Sequence, residues 1–360
     1  MTSFADRLLA WYRLQPRDLP WRRTRDPYAI WVAEVMLQQT QVETAIPYYE
    51  RFLARFPTLE ALAAAPLDDV LRLWAGLGYY ARARHLHAAA RRIVAEHSGQ
   101  VPADLEALLR LPGIGRYTAG AILSIAFNQD APVLDGNVRR VLCRVFHITE
   151  DPRQPAVERR LWDLAASLVP PGRAGDYNQA LMDLGATVCT PRAPRCPACP
   201  LMTLCQAQKL GNPERLPVKA PRRELPHYDV TAGVIWRDGR VLLAQRRPEG
   251  LLGGLWEFPG GKQEAGETLE DCLRRELREE LGIEVEIGPQ LMTLAHAYSH
   301  FRIALHVFTC RHTSGEPQAL GCAAWRWVAP DELASFAMAA TDRQIAQQVA
   351  QAALIKAVGR

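Results

Sequence analysis

The chain has 360 residues, a formal net charge of +4 and 48% apolar residues. This length exceeds the usual size of one domain, so two or three hydrophobic cores are expected. Apolar runs fall short of the roughly 18 residues that span a bilayer, and the first residues lack a signal-peptide cleavage pattern. The sequence therefore predicts a soluble, unexported protein of the cytoplasm with no membrane partner.

Positive charge is concentrated in the first part of the chain. Residues 1–225 contain 29 Lys and Arg against 22 Asp and Glu, whereas the remaining residues contain 14 against 17. Almost all of the cations in the first part are arginine, whose planar guanidinium suits contacts with phosphate. This favours a polyanionic partner, although surface arginines also serve solubility alone.

From Phe4 to about Cys205 the apolar residues recur at helical spacing, and prolines predict many short helices. Residues 206–226 change to a basic, proline-rich composition that predicts a linker, with Lys219, Arg222 and Arg223 among its cations. Beyond it, strand-like runs at 229–235, 240–244, 283–287 and 300–310, with a turn at Asp238-Gly239, predict an α/β domain. The expected helix breakers are Pro47, Pro57, Pro66, Pro102, Pro112, Pro132 and Pro170.

A glycine-containing turn separates two helical patterns in the segment Leu111-Pro112-Gly113-Ile114-Gly115-Arg116-Tyr117. The glycines allow a tight turn whose N–H groups face outward at a helix N-terminus, which suits one phosphate of a DNA strand. A simple helix–helix turn is the alternative. The segment resembles the helix-hairpin-helix of the base-excision glycosylase superfamily.

Two carboxylates stand in apolar surroundings. Glu34 interrupts the helical segment 31–41, where its apolar neighbours should desolvate it, raise its pKa and allow it to act as a general acid. A Glu34 that reaches solvent or an arginine is the structural alternative. Asp135 precedes Gly136, where it is placed to cap a helix, and this role is compatible with a catalytic one.

These segments together resemble the MutY-type adenine DNA glycosylases, over about Pro20 to Cys205. The resemblance implies that Glu34 protonates the adenine and that Asp135, with Tyr117 and Asn137 in the catalytic set, supports the cationic sugar of a flipped nucleotide. Glycosylases that also cut the backbone carry a lysine at the position of Tyr117, so a monofunctional enzyme is expected. The DNA-contacting residues implied by the resemblance are Arg22, Gln39, Thr40, Leu77, Tyr79, Gly113, Gly115 and Gln179.

Four cysteines follow the helical region at Cys189, Cys196, Cys199 and Cys205. In an unexported protein such a quartet indicates a metal centre, and four thiolates serve either zinc or an iron–sulfur cubane. The spacing resembles the 4Fe–4S loop of MutY and endonuclease III, and Arg192 and Arg195 within the loop suggest a basic surface toward DNA. Zinc is the alternative.

Residues 227 to about 345 resemble a Nudix domain, which in the MutY family reads 8-oxoguanine opposite adenine. The guanine-reading loop corresponds to Tyr298-Ser299-His300, so Ser299 and His300 are the expected contacts. The Nudix signature is complete from Gly261 to Ile283, a departure from the usual degenerate family pattern. Three of its carboxylates, Glu276, Glu279 and Glu280, share one helix face at a spacing that suits Mg²⁺. An acidic helix without turnover is the alternative.

The sequence therefore predicts an all-α helix-hairpin-helix glycosylase domain with an iron–sulfur loop, followed by an α/β (α+β) Nudix-like domain. The expected boundaries are 1–205, with a hairpin part at about 25–128 and a cluster part formed by 1–24 and 129–205, then a linker at 206–226 and the Nudix-like domain at 227–360. The resemblance implies that the substrate is double-stranded DNA with adenine opposite 8-oxoguanine or guanine, and we expect a monomer associated with the nucleoid. A nucleotide pyrophosphohydrolase fused to a DNA-binding domain and a non-catalytic damage-binding protein are the alternatives.

Overall fold

The computed structural model describes residues 3–14, 17–218 and 224–358, and all structural statements below concern these residues. They form two compact units: residues 3–64 with 85–218, and residues 65–84 with 224–358. None of the described helices is both long enough and apolar enough to cross a bilayer.

The part of the chain before residue 219 is helical. Proline interrupts the pattern as predicted at most positions, but Pro47 lies inside a helix. That helix continues because Ala45, Tyr49 and Phe52 on one of its faces are buried, which outweighs the single hydrogen bond that proline removes. The helices are α1 (Phe4–Leu14), α2 (Pro27–Leu37), α3 (Val42–Arg55), α4 (Leu59–Ala64), α5 (Leu67–Trp74), α6 (Ala81–Glu96), α7 (Leu105–Leu109), α8 (Arg116–Ile125), α9 (Gly136–Val145), α10 (Pro155–Leu168), α11 (Ala174–Thr187) and α12 (Gln206–Lys209).

Helix α2 is the central element of the first unit. Its residues are apolar on every face except at Glu34, and all residues from Tyr28 to Met36 are buried. A helix that is apolar all round is stable only inside the protein, so it carries its single carboxylate into the interior. Asp26 caps its N-terminus by accepting a hydrogen bond from the Tyr28 N–H at 3.0 Å, and Pro27 occupies its first turn.

The predicted linker is folded in its first half. Helix α12 lies within it, and the buried Arg144 Nε donates a hydrogen bond to the Leu216 carbonyl at 2.9 Å. The Glu214 carboxylate accepts one from the Ala193 N–H at 3.0 Å. The predicted basic residues Lys219, Arg222 and Arg223 lie outside the described residues.

The second unit is a sheet with helices on both faces, which confirms the predicted α/β class. Strands β1 (His227–Arg237), β2 (Arg240–Gln245), β3 (Trp256–Glu257), β4 (Glu284–Ala297), β5 (Arg302–Ser314) and β6 (Ala324–Val328) take the order β3-β2-β1-β5-β4, with β6 also on β2. Strands β1 and β5 run parallel, and the other pairs are antiparallel. Asp238 and Gly239 both have positive φ, +50° and +75°, as a tight hairpin turn requires.

Two helices cover the sheet. The apolar face of α13 (Leu269–Leu281) packs on one core with Ile235 and Leu242, and α14 (Ala340–Val358) contributes Ile345 and Val349 to the other core. Because the apolar face of α13 packs on the sheet, its polar face turns away from the sheet, and this face carries the carboxylates of the Nudix signature.

Residues 65–84 pack with this second unit and interrupt the first one. The three buried residues Val70, Leu71 and Trp74 of α5 lie in this segment. The Tyr80 hydroxyl donates a hydrogen bond to the Met338 carbonyl at 3.3 Å, and Arg84 Nη1 donates one to the Gly253 carbonyl at 2.8 Å. The expected boundaries placed this segment inside the first domain, because partners more than 160 positions away leave no mark on its local sequence pattern.

Candidate active site

An open pocket of about 510 Å³ lies in the first unit, at the ends of α2, α8, α9 and α11. It brings together all four residues predicted for catalysis and four of those predicted for DNA contact. The residues concerned are Arg22, Glu34, Gln39, Thr40, Tyr117, Asp135, Asn137 and Gln179.

Glu34 is the most unusual ionisable group of this pocket. Its side chain is buried, at 4% exposure, and its Oε2 accepts a hydrogen bond of 2.6 Å from the Tyr117 hydroxyl. The pKa of Glu34 is raised to about 7, mainly by burial. The hydrogen bond from Tyr117 opposes this rise, the negative charge of Asp135 adds to it, and the charge of Arg22 opposes it. The carboxyl therefore holds a proton near neutral pH while facing a pocket large enough for a base.

Tyr117 is a neutral partner for this carboxyl. Burial raises the pKa of its phenol well above the ordinary value, and the nearby Glu34 and Asp135 act in the same direction. Its hydroxyl also lies 3.3 Å from the Met182 sulfur. A phenol at this position donates a hydrogen bond and has no amine with which to form an imine.

Asp135 caps α9 and lines the pocket at the same time. One carboxylate oxygen accepts the Val138 N–H at 2.7 Å, and the other accepts the Asn137 amide at 3.0 Å. Burial raises the pKa of Asp135, and these donors oppose the rise by favouring the ionised form. The side-chain oxygen of Asn137 in turn accepts a hydrogen bond from the Arg140 guanidinium at 2.8 Å, so the side-chain amide of Asn137 cannot rotate freely.

Arg22, which is predicted to contact DNA, is engaged in an ion pair within the protein. Its guanidinium donates two hydrogen bonds to the buried Asp183, at 2.5 and 2.8 Å. This bidentate pair holds Arg22 in the pocket wall, and its contact with DNA stays a prediction. The sequence analysis missed Asp183 because 161 residues separate the two partners. Gln179 is also buried, and its amide donates to the Gly175 carbonyl at 3.2 Å.

The predicted hairpin turn lies immediately before α8. Gly113 has φ +74°, and a Cβ at this position would lie 2.6 Å from the His85 Cβ, so no other residue fits without movement. Gly115 is the residue before α8 and has open space at its Cα. Gln39, just after α2, has φ +61°, and together with Thr40 it lines the pocket.

Leu77 and Tyr79 belong to the second unit, in the segment 65–84. Leu77 is buried, whereas 48% of Tyr79 is exposed. Ser299 and His300 lie in the same unit on the exposed loop before β5, where the Ser299 hydroxyl and His300 Nδ1 are 2.8 Å apart.

The four predicted metal ligands line one small cavity together with Val141, Val145 and Arg144. Arg144 is fully buried, and its Nη1 donates to the Cys189 sulfur at 3.3 Å. Within the described residues no group of three or more His, Cys, Asp or Glu side chains is arranged as a metal site. Four thiols on one apolar cavity, beside a cationic donor, nevertheless suit a set of thiolate ligands. These are Cys189, Cys196, Cys199 and Cys205.

The Nudix carboxylates of α13 are engaged with an arginine. Arg275 pairs with Glu267 at 2.8 Å, with Glu276 at 3.0 Å and with Glu279 at 3.3 Å. Burial raises the pKa of Glu280 to about 7, and the charges of Glu276 and Glu279 add to the rise. The predicted magnesium set is therefore not assembled as a metal site among the described residues.

Comparisons with known proteins match each of the two units to a known family. The family model described as "HhH-GPD superfamily base excision DNA repair protein" matches residues 32–167, and that described as "NUDIX domain" matches residues 231–348. A solved thermostable thymine-DNA glycosylase is 33% identical, with a TM-score of 0.52, and the match covers 57% of this chain and 95% of that one.

Curated relatives match along nearly the whole chain. An adenine DNA glycosylase of Rattus norvegicus is 40% identical over 96% of this chain and 77% of its own length. The adenine DNA glycosylase of Homo sapiens is 39% identical over 96% of this chain and 73% of its own length. With this similarity, and with helical and Nudix units in the expected order, the chain belongs to the adenine DNA glycosylase family.

Proposed function

We propose that the protein is a monofunctional base-excision repair enzyme that removes adenine paired with 8-oxoguanine or guanine in duplex DNA. The observation that carries the proposal is Glu34, a buried carboxyl with a pKa of about 7 that faces a base-sized pocket beside Tyr117 and Asp135. The adenine leaves the helix and enters this pocket, as reactions on a base inside a duplex require.

In the proposed reaction Glu34 donates its proton to the adenine ring, and the bond between the base and the sugar breaks with its electrons moving to the purine. The ionised Asp135, held by the N–H of Val138 and the amide of Asn137, stabilises the positive charge that develops on the sugar. Water then adds to the sugar carbon and gives its proton to the Glu34 carboxylate, which restores the enzyme and leaves an abasic site.

The direct test is incubation of the full chain with a duplex that contains adenine opposite 8-oxoguanine, followed by analysis with and without alkali. We expect free adenine and strand breaks only after alkali treatment. Breaks without alkali, or a covalent adduct trapped by borohydride, would contradict the role of Tyr117 as a neutral donor.

We further propose that the second unit reads the base opposite the adenine, through Ser299 and His300 and through Leu77 and Tyr79. The exposed loop of Ser299 and the exposed ring of Tyr79 support this assignment, since both are available to a duplex. Ser299→Ala is expected to reduce the preference for 8-oxoguanine over guanine opposite adenine.

Cys189, Cys196, Cys199 and Cys205 would hold a 4Fe–4S cluster. When bound, such a cluster supplies a rigid crosslink of the loop and a redox-active centre. Around it, Arg144 fixes the loop through hydrogen bonds to the Thr190 and Pro191 carbonyls at 2.7 and 3.1 Å. Iron and acid-labile sulfide analysis of the purified protein tests the assignment, and zinc without iron would overturn it.

A second candidate activity is metal-dependent hydrolysis of a nucleoside diphosphate linkage by the second unit. The complete signature and the Glu267–Arg275 pair favour it, while the engagement of Glu276 and Glu279 by Arg275 favours an acidic helix without turnover. Pyrophosphate release from 8-oxo-dGTP by the full chain with Mg²⁺ separates the two. Turnover that survives Glu34→Gln and disappears in Glu280→Gln would establish the second activity.

A further inference from the structure

The loop between α5 and α6 has an unusual backbone. Gly76, Gly78 and Tyr79 have φ values of +111°, +73° and +49°. A residue with a side chain is disfavoured in this left-handed region, so surrounding contacts must hold Tyr79 there. The result is a bulky ring with 48% of its surface exposed at the tip of a tight turn.

Arg82 supplies such contacts. Its Nη2 donates hydrogen bonds to the carbonyls of Leu77 and Gly78, at 3.2 and 3.1 Å, the two residues that precede Tyr79. Its guanidinium carbon lies 5.5 Å from the centre of the Tyr79 ring and 5.4 Å from that of Trp74. The planar guanidinium thus contacts both the backbone of the turn and the rings of Tyr79 and Trp74.

The guanidinium of Arg82 is buried although it carries a charge. The side chain is only 8% exposed, and burial lowers the pKa of its guanidinium to about 10. The group therefore remains charged at neutral pH although it is removed from water, an arrangement that persists only where hydrogen bonds and aromatic faces replace the hydration.

We propose that Arg82 is a positioning residue that holds Tyr79 in a preformed, outward-facing conformation for insertion between the bases beside the mispair. The inference rests on the proposed function, because it takes the ligand to be a distorted duplex. A ring that is ordered before binding loses less conformational entropy in the complex, so Arg82 acts on affinity through Tyr79. Lysine cannot replace it, since an ammonium group does not stack between two rings while contacting two carbonyls.

The test is a double-mutant cycle with Arg82→Lys, Tyr79→Ala and the double variant. The dissociation constant for a duplex with adenine opposite 8-oxoguanine is measured by fluorescence anisotropy, and the single-turnover rate is measured at saturating enzyme. We expect Arg82→Lys to weaken binding about tenfold and to change the saturated rate less than about threefold. In the Tyr79→Ala background the same substitution should weaken binding less than about twofold. Equal effects in both backgrounds would overturn the proposal.

A second pair of variants tests the turn without touching the buried arginine. A Cβ on Gly78 would meet no atom within 4 Å, so Gly78→Ala adds only backbone strain at the loop. Gly239→Ala is its matched control, with φ +75° and equally open space at the β1–β2 turn. We expect weaker duplex binding for Gly78→Ala and unchanged binding for Gly239→Ala. Identical binding by the two variants would contradict the need for a preformed turn.

These measurements also separate the two proposals. Excision by the unsubstituted chain is scored independently of binding, so a chain that binds the duplex and releases no adenine would remove the proposed function. A chain that excises adenine but shows additive effects in the cycle would remove only the role of Arg82.

Discussion

The two units each place carboxylates on a helix, and the partners of those carboxylates differ. In the first unit Glu34 is buried and meets the neutral hydroxyl of Tyr117. In the second unit Glu276 and Glu279 share the guanidinium of Arg275. Burial raises the pKa of Glu34 and the Tyr117 hydroxyl only partly opposes the rise, so this carboxyl is able to hold a proton. Glu276 is half-buried and Glu279 is exposed, and both are paired with a cation. The comparison shows that burial, more than the hydrogen-bond partner, determines whether a carboxyl can serve as a proton donor.

Glu280 lies between these two cases. Its pKa is raised to about 7, as is that of Glu34. In both cases burial is the main cause and like charges add to it, those of Glu276 and Glu279 for Glu280 and that of Asp135 for Glu34. Glu280 therefore resembles Glu34 in its burial and Glu276 in its place on the acidic helix. Variants at and near the two helices test whether these carboxyls differ in this way.

The largest effect is expected for Glu34→Gln. The amide has the shape of the acid and cannot donate its proton to the adenine, so the single-turnover rate should fall about 10³-fold. The exposed Glu50 on α3 supplies the control, and Glu50→Gln should leave the rate unchanged. A Glu34→Gln enzyme that retains more than about a tenth of the rate would show that another group is the acid.

The pH dependence of excision should follow the protonated fraction of Glu34. Burial raises its pKa to about 7, so the active acid form predominates below pH 7 and decreases as the pH rises through this value. We expect the single-turnover rate to fall about tenfold for each pH unit above the midpoint. A rate that rises across pH 7 to 9 would contradict protonation by Glu34.

Tyr117→Phe should produce a smaller change in the same profile. The hydroxyl of Tyr117 donates its hydrogen bond to the Glu34 carboxylate and thereby lowers a pKa that burial has raised. Without this donor the pKa of Glu34 should rise, and the midpoint of the rate profile should move to higher pH. A midpoint that moves to lower pH would mean that the phenol stabilises the protonated acid.

The burial of Glu34 was predictable from sequence because its cause is local. A helix whose other residues are apolar on every face has one stable location, the protein interior, so neighbouring residues alone indicate the environment of the carboxyl. The cap formed by Asp135 is local in the same sense, since its partner is the N–H of Val138, three residues away.

Contacts between distant residues escaped the sequence analysis. The Arg22–Asp183 pair spans 161 positions, and the hydrogen bond from Tyr80 to Met338 spans 258. Composition, periodicity and motif resemblance describe one segment at a time, so the resemblance that singled out Arg22 did not show that it pairs with a distant carboxylate. For the same reason they left residues 65–84 with the helices that precede and follow them.

The Nudix helix shows a third situation, in which the sequence predicted a shared helix face but no ion pairs. Glu276, Glu279 and Glu280 do share one helix, as the signature predicts, and Arg275 lies next to Glu276 and one turn before Glu279. Spacing places several partners within reach of one another and does not determine which pair forms. In the structure Arg275 pairs with both Glu276 and Glu279, and magnesium binding at this helix stays a prediction.

A minor effect is expected at the half-buried Glu267, which lies two residues before the start of α13. Hydrogen bonds from Arg275, with a further one from the Glu264 N–H, lower the pKa of Glu267 to about 2 from its ordinary value of 4.5. A lowered pKa of a carboxyl gives stability that is present above pH 4.5 and is lost as the pH falls toward 2.

Glu267→Gln should therefore flatten the acid dependence of amide hydrogen exchange in α13, measured on the full chain. Because the pair is near solvent, salt should reduce the difference from the unsubstituted chain, with a change of at most a few degrees in melting temperature. Glu270→Gln at the exposed start of α13 is the control. If the two variants show the same acid dependence, the Glu267–Arg275 pair does not stabilise the helix, and the contrast with the buried Glu34 becomes sharper.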